Sequence, residues 1–119
     1  MTVLIPSAGL GSRLKPQTNF FNKTMISIGN LPTISHIINS YDTKTDFIIA
    51  LGYEGEHLKE YLQYYHTKNK FKFINIHNYS GPGSSLNTTL QCCSKEIKSD
   101  FIFHVNDAII KQKIYQNFD

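Results

Sequence analysis

The chain has 119 residues, 40% of them apolar and 13% aromatic, with a formal net charge of +3. That suffices for one domain over residues 1–119 with a real core, and it excludes a disordered tail, which needs low hydrophobicity and a large net charge. The eleven lysines are scattered rather than gathered in a run. The mild positive balance therefore suits an anionic small ligand better than a nucleic acid.

Cys92 and Cys93 are neighbours, a spacing that rarely bridges and matches no metal knuckle, so two reduced thiols in a cytoplasmic protein are expected. The start, Met-Thr-Val-Leu-Ile-Pro, has no basic flank and no long apolar stretch, so no signal peptide is expected. No apolar run approaches the ~18 residues of a membrane span.

In chain order, Val3 to Ile5 is a short apolar run ending at Pro6, which reads as a buried strand entering the glycine-bearing turn Ser7-Ala8-Gly9-Leu10-Gly11-Ser12. Ile34, Ile37, Ile38 and Tyr41 fall on one helical face, with Pro32 or Thr33 suited to its first turn. Phe47 to Leu51 reads as a second strand closed by Gly52. Leu58, Tyr61, Leu62 and Tyr65 repeat the helical spacing, and this tyrosine-rich face is expected in the core rather than as a base-stacking platform. Phe71, Phe73, Ile74 and Ile76 mark a third strand. Leu86, Leu90, Cys93 and Ile97 mark a third helix, which Ser84 and Ser85 would cap. Phe101 to Val105 reads as a fourth strand ending at Asn106-Asp107, and Ile110, Ile114 and Phe118 predict a last helix.

Short apolar strands alternating with amphipathic helices imply an α/β fold: a three-layer, Rossmann-like, mainly parallel sheet with right-handed crossovers. In such sheets ligands bind at the carboxyl ends of the strands. Those ends carry Gly9-Leu10-Gly11, Gly52, the segment Asn78 to Gly83, and Asn106-Asp107.

The loop after the first strand holds two glycines, which let backbone N–H groups approach an anion without Cβ obstruction, and the chain's one arginine, Arg13. A chain that otherwise uses lysine for every positive charge places a planar, bidentate fork here, although a solvated arginine on a tight turn is the plain alternative. A dinucleotide fingerprint fits less well: the third glycine position is Leu14, Pro16 interrupts the helix that should follow, and no acid stands at the tip of the second strand. A phosphate-binding Walker loop is excluded, because no Gly-Lys-Ser/Thr follows.

Gly9-Leu10-Gly11-Ser12-Arg13-Leu14-Lys15-Pro16-Gln17-Thr18, followed by Asn22-Lys23 and the segment Thr24 to Pro32, resembles the signature of the sugar-phosphate nucleotidylyltransferase family. Gly81-Pro82-Gly83-Ser84-Ser85-Leu86 is similar to that family's second glycine-bearing loop, and Asn106-Asp107 to its metal-binding strand end. The chain departs from the pattern at Asn22, where the family usually has proline, and at Pro82 and Ser84. The resemblance implies transfer of a nucleotidyl group from an NTP to a phosphorylated sugar or similar small acceptor, with release of pyrophosphate. It implies that Ser7, Ala8, Gly9, Gly11 and Ser12 hold the nucleotide, that Arg13 grips the triphosphate, and that Lys23 neutralises the α-phosphate. Asp107 would hold Mg²⁺, Asn78 would read the base edge, and Gly83 and Ser84 would lie against the nucleotide.

Each residue has an ordinary alternative: Lys23 as a solvated lysine, Asp107 as a turn or cap residue, Asn78 as a loop asparagine. His36, His57, His66, His77 and His104 do not cluster at ligand spacing and are expected to be structural or solvated, with His104 near enough to Asp107 to support it. The resemblance covers only the N-terminal half of the family's catalytic domain. A truncated enzyme, or a non-catalytic nucleotide-binding fragment, therefore stands beside the enzyme reading, and an uncovered sheet edge would favour homo-oligomers. The stretch Leu4 to Arg13, with Pro32 to Ile38, looks most like members tied to surface-polysaccharide precursors. That favours CTP, ahead of UTP or dTTP.

Overall fold

The computed structural model describes residues 1–10, 15–16, 21–77 and 86–111. Strands β1 (Thr2–Ser7), β4 (Asp46–Leu51), β5 (Lys70–Asn75) and β6 (Ile102–Phe103) form one parallel sheet in the order β5-β4-β1-β6. The first strand lies between the second and the fourth, and Val3, Leu4 and Ile5 are wholly buried, as the uninterrupted apolar run requires. Its register with β4 runs from Thr2 opposite Asp46 to Ser7 opposite Leu51.

Side chains alternate across the sheet, and both faces are apolar. Val3, Ile5, Phe47, Ile49 and Leu51 pack against Ile34, Ile37 and Ile38 of α1 (Thr33–Asn39) and against Leu58 and Leu62 of α2 (Gly55–Tyr65). Leu4, Ala8, Ile48 and Ala50 pack on the other face against Leu90 and Cys93 of α3 (Leu86–Cys93). Two helices cover one face and one covers the other, which gives the three expected layers.

Several sequence expectations need correction. Tyr65 is 66% exposed and Tyr64 is 75% exposed, because α2 runs a turn beyond the stripe that Leu58 and Leu62 bury. Tyr65 instead meets Tyr61 at 4.8 Å between ring centres. Leu86 opens α3 ahead of its buried stripe and is exposed. The fourth strand is two residues long rather than five, and Phe101 and Val105 are exposed. Pro6 explains the loss at the strand's carboxyl end. The His104 N–H donates to Leu4 O at 2.9 Å, so Leu4, and Pro6 two residues on, turn their backbone groups toward β6. Proline has no N–H to continue that ladder, and pairing with β6 stops at Leu4. The predicted last helix lies outside the described residues beyond Lys111, although Ile110 packs against the first core cluster.

An antiparallel hairpin, β2 (Ser27–Ile28) and β3 (Leu31–Pro32), was not expected. It turns at Gly29, whose φ of +67° suits a two-residue hairpin loop, and it delivers Pro32 to the start of α1. The His36 ring nitrogen Nε2 meets Ile28 O at 2.7 Å and pins the hairpin to α1. Ser35 ties α1 to α2 through Tyr61 Oη and through His66 Nε2 at 2.8 Å, and burial holds His66 below the ordinary histidine range. No helix among the described residues is long and apolar enough to cross a membrane.

Candidate nucleotide site at the carboxyl end of β1

Three separate stretches of chain converge on the last residues of β1. The first is β1's own continuation. Ser7 is buried, and its Oγ has no hydrogen-bond partner among the described residues. A buried hydroxyl left without a partner costs about 1–3 kcal/mol, so Ser7 Oγ is suited to a polar group brought to this end of β1. Ala8 follows, 5% exposed, with its carbonyl accepting from Tyr53 N–H at 3.2 Å. Gly52, just past β4, lies so close that a Cβ there would stand 2.5 Å from Ala8 O. Only glycine permits this approach of the two strand ends. Gly9 is different. Its φ is outside the left-handed region, and a Cβ built on it meets no described atom within 4 Å. Among the described residues, the space on that side of Gly9 is open.

The second stretch is the 3₁₀ turn Lys23–Met25, capped by Asn22. The Asn22 side chain donates to Ser7 O at 2.6 Å and to Tyr53 O at 2.9 Å, fixing the turn beside the ends of β1 and β4. Lys23 opens this turn and is half-buried, and among the described residues no carboxylate pairs with it.

The third is the turn after β6. The Asn106 amide donates to Pro6 O at 2.7 Å, the carbonyl that β6 leaves unpaired. His104 Nε2–H donates to Ala108 O at 2.6 Å and closes the turn, so its Nδ1 accepts from the Tyr41 hydroxyl at 2.7 Å. Burial pushes the Tyr41 phenol up, in keeping with its role as donor. Asp107 stands exposed at the tip of this clamped turn. His104 thus closes the turn that carries Asp107, through Ala108 rather than through Asp107 itself.

Of the residues singled out in the sequence, Ser7, Ala8, Gly9, Lys23 and Asp107 are carried on these three stretches. Gly11, Ser12, Arg13, Asn78, Gly83 and Ser84 lie outside the described residues. The carboxyl end of β5, the last described strand before residue 78, lies at the same end of the sheet. Asn106, Gly52 and the loop carbonyl of Tyr53 were not foreseen in their supporting parts, and Asn22 was noted only as a departure. No three His, Cys, Asp or Glu side chains among the described residues form a ready-made metal cage. A single exposed carboxylate does fit Mg²⁺, which keeps several waters and is commonly held by one or two carboxylates together with substrate phosphates.

A concavity of about 320 Å³ lies at the opposite, amino end of the sheet, lined by Thr2, Asp46, Lys70, Lys72, Glu96 and Lys98 among others. Lys72 there is already paired with Glu96. The carboxyl end, where loops rather than strand starts gather, is the usual ligand end of such a sheet.

Solved nucleotidyltransferases share this fold. A solved CTP:phosphocholine cytidylyltransferase from Streptococcus pneumoniae superposes with a TM-score of 0.72 at 20% identity, over 95% of this chain and 47% of that one. A UDP-glucose pyrophosphorylase solved with UDP-glucose gives 0.71 at 19%, over 89% and 45%. In sequence, a glucose-1-phosphate cytidylyltransferase of Salmonella typhimurium is 40% identical over 67 residues, 55% of this chain and 26% of that protein. A bifunctional protein GlmU of Methanococcus maripaludis is 30% identical over 115 residues, 96% of this chain and 26% of that protein. No protein-family model matches. The chain is thus similar in sequence to sugar-phosphate nucleotidylyltransferases and shares its fold with solved ones. It spans about a quarter of the length of these sequence relatives and less than half of the solved chains.

Proposed function

We propose that the carboxyl end of β1 binds the triphosphate of an NTP, and that the chain is the nucleotide-binding part of an enzyme transferring NMP to a small phosphorylated acceptor. The observation that carries this reading is convergence. The Gly9 loop, the Lys23 turn and the Asp107 turn come from distant parts of the chain, yet they grow from or dock on the consecutive residues Pro6, Ser7 and Ala8.

In the reaction an acceptor phosphate oxygen attacks the α-phosphorus, a new P–O bond forms, and the bond to the bridging oxygen breaks as pyrophosphate departs. Charge grows on the phosphoryl oxygens and on the leaving group, so positioning and fixed positive charge supply most of the catalysis. Lys23 neutralises the α-phosphate from its clamped turn. Arg13 grips the outer phosphates with its planar fork and follows the pyrophosphate. Ser7 and the backbone of Ala8, Gly9 and Gly11, with Ser12, hold the nucleotide, while Asn78, Gly83 and Ser84 meet the base. Asp107 is the carboxylate that would hold Mg²⁺, which when bound offsets charge on the phosphate oxygens. CTP is the favoured donor and a sugar 1-phosphate the favoured acceptor, supported by the cytidylyltransferases among the relatives and by the same sequence stretches that suggested surface-polysaccharide precursors. A cytoplasmic setting and self-association at the short β6 edge, flanked by exposed Phe101 and Val105, belong to the same proposal.

The test is a thermal-shift panel of CTP, UTP, dTTP, ATP and NAD with Mg²⁺, read beside pyrophosphate release with sugar 1-phosphates. We expect an NTP, CTP foremost, to stabilise the protein, and release by the 119-residue chain to be slow, because it spans only about a quarter of the length of its sequence relatives. Stabilisation by NAD and by no NTP would favour the dinucleotide-binding alternative. Indifference to every nucleotide would refute the reading.

A further inference from the structure

Asn22 stands where the related family usually has proline, and the backbone there has φ −61° and ψ 142°, angles that a proline adopts without strain. The departure therefore preserves the path of the chain and adds a side chain to it. That side chain is wholly buried and uses its full hydrogen-bonding capacity. Nδ2 donates to Ser7 O at 2.6 Å and to Tyr53 O at 2.9 Å, and Oδ1 accepts from Thr24 N–H at 3.0 Å and from Thr24 Oγ1 at 2.7 Å. The network fixes which end of the amide is which, since a flipped amide would set its oxygen against two carbonyls. No other side chain offers two donors and a doubly used acceptor at this length. Aspartate would set a third oxygen, in place of Nδ2, against the two carbonyl oxygens, and alanine would leave Ser7 O and Tyr53 O without this partner.

One amide thus joins three pieces: the end of β1, the loop after β4, and the turn that begins with Lys23. We propose that Asn22 is a positioning residue that holds Lys23 in place against the nucleotide's phosphates by these hydrogen bonds. The proposal rests on the phosphate-binding reading of Lys23 given above.

The experiment is a double-mutant cycle on ligand affinity by calorimetry, using the NTP that binds best in the thermal-shift panel and, as the phosphate-free control, its nucleoside. The proteins are wild type, Asn22→Ala, Lys23→Ala and the double variant. Lys23→Ala and Asn22→Ala are each expected to weaken the NTP by roughly tenfold, the effect of losing a charge-assisted phosphate contact, while nucleoside affinity stays put. The double variant is expected to bind like Lys23→Ala alone, because a displaced Lys23 has nothing further to lose. If Asn22→Ala does not fold by circular dichroism, the cycle is read with Asn22→Ser, which keeps a capping oxygen but drops both clamps. Additive losses, or equal loss of NTP and nucleoside, would overturn the positioning role while leaving Lys23 as a phosphate ligand. No loss in Lys23→Ala would overturn both.

Discussion

Phe47→Ala is expected to destabilise the fold by about 3–5 kcal/mol, the range for a fully buried aromatic cut back to a methyl group. Phe47 is 1% exposed in the middle of the sheet, between β1 and β5. Its ring stacks on Phe71 at 5.6 Å and meets Tyr41 edge-on at 5.8 Å, so the substitution removes two aromatic contacts as well as buried area. Tyr41 in turn holds His104, and the loss should spread toward the Asp107 turn. A domain of this size has ~5–15 kcal/mol to lose, so the melting temperature should fall by roughly 10–25 °C. A fall of only a few degrees by calorimetry would show that the core described around α1 and α2 is not the one that holds the protein together.

Arg13→Ala is expected to weaken NTP binding by about 1.5–3 kcal/mol, the worth of charge-assisted hydrogen bonds to phosphate, and to leave NMP binding much less affected. The asymmetry follows from the proposed role. A guanidinium on the β- and γ-phosphates has no partner in an NMP, whereas one that merely shapes the glycine loop serves both ligands alike. Titration of wild type and variant with the matched NTP and NMP measures it, and equal losses would assign Arg13 to the loop. Lysine at this position should recover only part of the loss, because it offers a point charge in place of the planar fork.

Much of the fold is legible in the sequence, and for a local reason. Val3 to Ile5 and Phe47 to Leu51 are uninterrupted apolar runs, which only strands buried on both faces require, and Ile34, Ile37 and Ile38 sit at helical spacing. What stays hidden depends on partners far away in the chain. The fourth strand stops where it does because Pro6, in another strand, lacks an N–H. Tyr65 looks like core by its spacing, yet the buried stripe of α2 ends at Leu62 and Tyr65 is exposed. The site divides in the same way. The residues that would meet the ligand stand in recognisable loops, whereas the residues that hold those loops do not announce themselves. Asn22 binds carbonyls 15 and 31 residues away, and Asn106 binds one 100 residues away. A buried asparagine and a loop asparagine look identical until the carbonyls they serve are known.

The central claim is that a triphosphate sits at the carboxyl end of β1, and backbone amide shift mapping by NMR of the isotope-labelled chain tests it most directly. On titration with Mg²⁺ and the best-binding NTP, the largest shifts are expected at Ser7, Ala8, Gly9, Lys23 and Asp107, with the amides of Thr2, Lys70, Lys72 and Lys98 at the far end of the sheet unmoved. Shifts centred on those lysines, with β1's carboxyl end silent, would contradict the account.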